Sequence, residues 1–227
     1  AFNVGDITIT TGGSGDVSID VGTNGEISGT VNVGDITIAM ESATGTDYFH
    51  INVDASSDIV VGNISVSGAD YGAVMIDNTY ASSGNNISVG DITIALNSGT
   101  GDLTVTVEND NSVAGDMSIG NVDLSADEGG VYFYAHNAGY STTSTSGTSV
   151  GSLTVGDITI TAGDQSATSS DSYATVTISN DAWWDGNSGL LTVGDVTVTV
   201  GDGFVSGTNV NMANAEAWIY NWGGTGA

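Results

Sequence analysis

The chain has 227 residues, of which 27 are Asp or Glu and two are His; with no Lys, Arg, Cys or Pro its formal net charge is −27. That balance excludes nucleic acid and anionic membranes as partners by repulsion, and the missing Cys excludes a disulfide framework or a thiolate metal site. No run of 18 apolar residues occurs, so no helical membrane insertion is encoded.

A nine-residue frame begins at Phe2: apolar, any, Val/Ile, Gly, Asp/Asn, apolar, any, apolar, any. It returns at Val31, Ile59, Ile87, Met117, Leu153 and Leu191, making seven copies. The frame glycines Gly5, Gly34, Gly62, Gly90, Gly120, Gly156 and Gly194 are 29, 28, 28, 30, 36 and 38 residues apart. Self-similarity at that period is the mark of a solenoid, whose units bury their apolar faces only by stacking.

In the second copy Val31 and Val33 alternate with Asn32, and Ile36 and Ile38 with Thr37. Alternation marks half-buried strands. Val33 and Ile36 are three apart, so both cannot face inward on one flat strand. Gly34–Asp35 must therefore turn a corner. The expectation is that Gly supplies a positive φ there and that Asp or Asn hydrogen-bonds its own turn.

Between frames lies one further strand, clearest at Phe49–Val53, Leu103–Val107, Val131–Ala135 and Ala174–Ile178. The two long spacings are read as surface insertions, the Ser/Thr/Gly tract 140–151 and the stretch 181–189. The fold predicted is all-β: a parallel β-helix (β-solenoid) of about seven to eight coils, each of roughly 28–38 residues and three strands. It runs as a single continuous β-solenoid over 1–227. The absence of Pro suits strands whose every N–H is needed in a ladder. With 39% apolar residues and β-branched strands, the chain folds despite its charge.

Coils rise by about 4.8 Å. Seven or eight span roughly 35 Å, or about one carboxylate per 1.3 Å, denser than the one charge per ~1.7 Å of duplex DNA. Cations from the medium must screen such a stack.

The corner residues Asp6, Asp35, Asp91, Asp157 and Asp195, with Asn63 and Asn121, form one column in register. One reading is a cation column holding Ca²⁺ between carboxylate and carbonyl oxygens. The plainer reading is that each side chain caps its turn, which Asp/Asn exchange permits. Gly12-Gly-Ser-Gly-Asp16 resembles the calcium nonapeptide repeat of RTX proteins, with its Asp one position early and a single occurrence.

After the corner, Thr8/Thr10, Thr37, Ser65/Ser67, Thr93, Thr159/Thr161 and Thr197/Thr199 point outward, interrupted by Ala39, Ala95 and Asp123. Such a face resembles those of ice-binding proteins; equally, Thr is a good residue for a solvated strand. The mid-repeat strand turns Tyr48, His50, Tyr132, Tyr134, His136 and Tyr173 outward, and later Trp218 and Tyr220. With Trp183, Trp184 and Trp222 these are the candidate interface or binding face, for sugar stacking or for packing between fibres. Scattered surface aromatics are the plain alternative.

No catalytic residues stand out, and no enzyme is expected. His50 and His136 sit three coils apart, roughly 14 Å at the coil rise. Polysaccharide lyases, common among β-helix proteins, need Arg or Lys against a uronate, and this chain has neither.

The tandem Val-Gly-Asp-Ile-Thr-Ile style, rich in Gly, Asp, Ser and Thr and free of basic residues, resembles the β-strand-repeat regions of large bacterial secreted surface proteins: adhesins, S-layer-like proteins and extracellular fibres. The resemblance covers essentially the whole chain. It implies an extracellular or cell-surface location and a structural part in a fibre, filament or surface layer built by self-association. The alternative it leaves is an adhesin-type module binding glycans or, less readily, ice or mineral. No cofactor is required on this reading, although Ca²⁺ fits the acidic corners. The chain begins inside a repeat frame and ends in Gly-Gly-Thr-Gly-Ala, so a segment or protomer of a larger assembly is expected.

Overall fold

Each frame forms two short strands that meet at its Gly–Asx corner, and the segment between frames supplies the third strand of the coil. The computed structural model describes residues 1–23, 29–41, 46–78, 84–97, 101–111, 113–139, 149–163, 172–182, 186–201, 205–206, 209–210 and 213–223.

Three parallel sheets of seven strands result, one strand per coil in each. Sheet 1 stacks Phe2–Val4, Val31–Val33, Ile59–Val61, Ile87–Val89, Met117–Ile119, Leu153–Val155 and Leu191–Val193 in that order. Sheet 2 stacks Ile7–Gly12, Ile36–Glu41, Ile64–Ser67, Ile92–Ala95, Val122–Ala126, Ile158–Ala162 and Val196–Val200. Sheet 3 stacks Val17–Gly22, Tyr48–Asp54, Tyr71–Asp77, Leu103–Asn111, Val131–Gly139, Ser172–Ala182 and Ala213–Gly223. The fold is therefore the expected three-strand-per-coil parallel β-solenoid, with seven coils.

The register follows from the side-chain pattern. Ile36 lies over Ile7 and under Ile64, and Ile94 lies between Val66 and Leu124. A slip of one residue would turn every such column outward. Interior coils are sealed: Ile36, Ile92, Phe49 and Phe133 are all 0% exposed. Sizes are matched along the axis. Phe49 stacks on Gly72, and a Cβ there would fall on the Phe49 ring.

The parity change at the corner is as predicted: Val33 and Ile36 are both buried, while Asp35 between them is exposed. The reason for glycine is not. Positive φ occurs at Gly13, Gly29, Gly68, Gly84 and Gly129, and at none of the frame glycines. Their role is spatial and belongs to the site below.

The insertions also return to the stack. Ser149–Val150 pairs in parallel with Asn187–Ser188 and bridges to Ala114. Ala114, Val150 and Ala182 close a small second core beside sheet 3. Asp181 and Ala182 continue a sheet 3 strand instead of entering a loop.

Ile94 is 1% exposed in the middle coil. Ile94→Asp removes about 1.5–3 kcal/mol of apolar burial and buries a carboxylate with no cationic side chain to meet it. It is expected to unfold the central coils, seen as a large fall in melting temperature, whereas Ile94→Val shifts it slightly.

Candidate functional site

Three polar ladders link successive coils, and the first, the corner column, runs through all seven. The N–H of Asp35 donates to Asp6 Oδ1 at 3.0 Å, and that of Asn63 to Asp35 Oδ1 at 2.7 Å. The pattern continues through Asp91, Asn121, Asp157 and Asp195 at 2.7–3.0 Å. Each Asx side chain thus caps the corner of the following coil, not its own turn as expected. One oxygen per residue is needed for this, which is why Asn63 and Asn121 serve as well as Asp.

This ladder dictates glycine. A Cβ at Gly34, Gly62, Gly90, Gly120, Gly156 or Gly194 would overlap the Oδ1 of the Asx one coil before. At Gly5, in the first of the described coils, a Cβ would meet nothing within 4 Å among the described residues.

A second ladder occupies the corner before sheet 1. The N–H of Asn86 donates to Asp58 Oδ1, that of Asp116 to Asn86 Oδ1, and that of Ser152 to Asp116 Oδ1, all at 2.8 Å. The third ladder is internal. Asn109 Nδ2 donates to Asn137 Oδ1 and Asn137 Nδ2 to Asn180 Oδ1, both at 3.0 Å, with Asn221 next at 3.3 Å. Asn109, Asn137 and Asn180 are fully buried, so these bonds satisfy amides that would otherwise be costly to bury; Asn78, in the same column and also buried, donates Nδ2 to Ser57 O at 2.9 Å. Sequence reasoning missed both ladders. Their signals are an Asx or Ser just before four of the frames, at Asp58, Asn86, Asp116 and Ser152, and an apolar-any-Asn triplet repeated at Ile76, Val107, Ala135, Ile178 and Ile219.

At the corner before sheet 3, Asp47 and Asp70 stack in adjacent coils and are both buried. Gly15 N–H donates to Asp47 Oδ1 at 2.7 Å and Asp47 N–H to Asp70 Oδ2 at 2.8 Å. Carboxylates here again serve as acceptors for backbone N–H groups of neighbouring coils. Among the described residues no three His, Cys, Asp or Glu side chains come together in a metal-sized group.

The aromatic side chains fall into two patches on the outer face of sheet 3. Tyr48 packs on Tyr71, with ring centroids 4.8 Å apart, and on His50 at 6.3 Å. Three coils on from Tyr48, Tyr132 stacks on Tyr134 at 6.5 Å in coil 5, and Trp218, Tyr220 and Trp222 stand exposed on coil 7. Tyr173, in coil 6, shares a column with Tyr48 and Tyr71, far from the latter pair. Trp183 and Trp184 lie outside the described residues.

Small side chains on coil 6 leave a shallow pocket of about 150 Å³ between the aromatic residues of coils 5 and 7. Tyr134 and His136 line one side, Tyr220 the other, with Thr177 and Ser179 between them. His136 Nε2 lies 3.6 Å from Asp181 Oδ2. The Asp181 carboxylate beside it raises the imidazole above its ordinary value, against the opposing effect of burial and with help from the Asp110 and Glu108 charges. Beside the pocket, hydrogen bonds from Asn214 and the Trp218 indole hold Glu216 below the usual carboxylate value.

The two ends of the stack differ from its middle. Phe2 and Ile219, which occupy inward columns, are each 44% exposed. Ile7 and Ile9 at one end, and Val196 and Val198 at the other, are only partly covered. Among the described residues, the first and last coils supply the edge strands of the three sheets.

Protein-family models, curated proteins and solved structures give no match to this chain.

Two outcomes test this geometry. Gly120→Ala is expected to lower the melting temperature clearly, because the new methyl group displaces the Asp91 acceptor. Asp91→Asn keeps the ladder and stability, and Asp91→Ala costs about 1 kcal/mol for the lost hydrogen bond. For His136, the raised value means the pairing stabilises fully below the ordinary imidazole value near 6.5 and is lost as pH rises through the folded value. NMR titration is expected to place His136 above 6.5, and Asp181→Asn to bring it down.

Proposed function

We propose that this chain is a structural extracellular β-solenoid that builds a fibre, filament or surface layer by self-association. The observation that carries this reading is the unbroken stack of seven parallel coils, each joined to its neighbours by the same ladders, with Trp218, Tyr220 and Trp222 exposed on its outer face. Stacks of this kind are quasi-one-dimensional rods, and exposed aromatic patches mark contact surfaces. The secreted-surface-protein style of the repeats agrees with a location outside the cell.

Association has to overcome a charge of −27. Backbone hydrogen bonds and apolar contact supply the attraction, and cations lining the acidic columns supply the screening. Calcium suits this part because the corner carboxylates use one oxygen for the ladder and face solvent. No catalytic part is proposed for any residue.

A second reading, an adhesin-type glycan-binding module, rests on the pocket of coils 5 to 7. Aromatic side chains flanking hydroxyl groups suit a sugar ring, with Tyr134, His136 and Tyr220 as contacts.

Light scattering and negative-stain microscopy across a salt series separate the two. The fibre reading expects monomers at very low ionic strength and extended filaments in millimolar Ca²⁺. A monodisperse short rod at high concentration in millimolar Ca²⁺ would refute it. If Ca²⁺ binds the corners specifically, it is expected to raise the melting temperature beyond NaCl of equal ionic strength; equal melts mean screening alone.

A further inference from the structure

We infer that the pocket on coils 5 to 7 binds a sugar ring carrying a free ammonium group, a hexosamine, and discriminates against neutral and anionic sugars. The inference rests on the glycan-binding reading above and names its ligand class.

The pocket is built by side-chain size. On the outer face of sheet 3, Tyr134, Thr177 and Trp218 form one column, and His136, Ser179 and Tyr220 form the next. Large side chains on coils 5 and 7 thus flank two small hydroxyl residues on coil 6. The resulting hollow of about 150 Å³ is on the scale of a single sugar ring. It opens sideways with a strand on each side of its floor, so what precedes or follows the described coils along the axis does not form it.

The charge around it is almost all of one sign. Glu108, on coil 4, lines the pocket directly opposite His136. Asp110 and Asp181 stand in the adjoining column on either side of Ala138, and Glu216 is held beside the pocket by the Trp218 indole. Asp181 is 9% exposed: its Oδ2 lies 3.6 Å from His136 Nε2, and its Oδ1 is buried without a hydrogen-bond partner among the described residues. When protonated, His136 answers one of these four carboxylates and leaves three; when neutral, it leaves all four. The chain has no Lys or Arg, so no side chain of this protein, in this copy or another, offers an ammonium or guanidinium group. The cation that suits the site has to come from a different molecule.

The walls decide which kind of cation fits. An ammonium within about 6 Å of an aromatic ring centroid is attracted to the ring face, and Tyr134 and Tyr220 flank the hollow. A calcium ion instead takes about six to eight oxygen ligands, and among the described residues no three His, Cys, Asp or Glu side chains gather in a metal-sized group. The Thr177 and Ser179 hydroxyls on the floor offer partners to ring hydroxyls. A uronic acid would set its carboxylate against those already present, which like-charge repulsion opposes.

The test is NMR titration of the folded chain with β-linked disaccharides of glucosamine, N-acetylglucosamine and glucose. The glucosamine sugar, with its amines protonated, is expected to bind about tenfold or more tighter than the other two. It is expected to move the Tyr134, His136 and Tyr220 signals first and to weaken as NaCl rises. Glu108→Gln, which keeps the shape and removes the charge, is expected to erase most of that preference with the melting temperature unchanged. Equal binding of all three sugars overturns this inference and leaves the glycan reading standing; binding of none overturns both. If butylammonium binds as tightly as the glucosamine sugar, the pocket takes its ammonium from another source and the sugar assignment falls. If the shifts spread along the acidic corners and Glu108→Gln changes nothing, the attraction is that of the whole charge and the pocket is not a site.

Discussion

Everything in this molecule depends on each coil sitting on its neighbour in one register. Parallel ladders alone do not fix that register, because backbone hydrogen bonds repeat along a strand. The corner does. At each Gly–Asx step a side-chain oxygen reaches across one coil to a backbone N–H, and the glycine above it leaves the room. A coil displaced by one residue would lose that bond, set a Cβ against the Asx oxygen and turn its Ile and Val columns to water. The apolar columns provide the stability, and the corner selects which stack is formed.

The same ladders explain how so acidic a chain folds. A carboxylate that accepts a backbone N–H is better stabilised than one facing only its like neighbours. At corners an Asp is interchangeable with an Asn, as Asn63 and Asn121 demonstrate. Inside the solenoid, where a bare carboxylate would be costly, the repeated residue is Asn: Asn109, Asn137 and Asn180 carry both a donor and an acceptor and so propagate without charge. The corner carboxylates thus stand on the surface, where salt and divalent ions reach them, while the buried Asp47 and Asp70 accept backbone N–H groups instead.

That division of labour separates sides from ends. The sides are hydrated, acidic and mutually repulsive, apart from aromatic patches on sheet 3. Among the described residues, the first and last coils carry the edge strands and the partly bare apolar columns. Under the fibre reading proposed above, lateral contact between rods has to work against the charge of every coil.

By itself the sequence determined the coil. The nine-residue frame, its spacing and the odd step between Val33 and Ile36 were enough for a parallel three-strand solenoid, its inward columns and its corner positions, because alternation and a fixed period leave few ways to bury the apolar face. Only the tertiary structure decided what the corner glycine is for, since the atom that excludes a Cβ belongs to a residue some 28 positions earlier and is near it only after stacking. The buried Asn ladder was hidden for the same reason: its members lie 28 to 43 residues apart and each looks locally like a polar residue at a strand end. The aromatic residues, which alternate outward as read, were divided by coil number into two patches, because position along the axis depends on how many coils intervene. Local periodicity fixes which way a side chain points; stacking fixes what it meets.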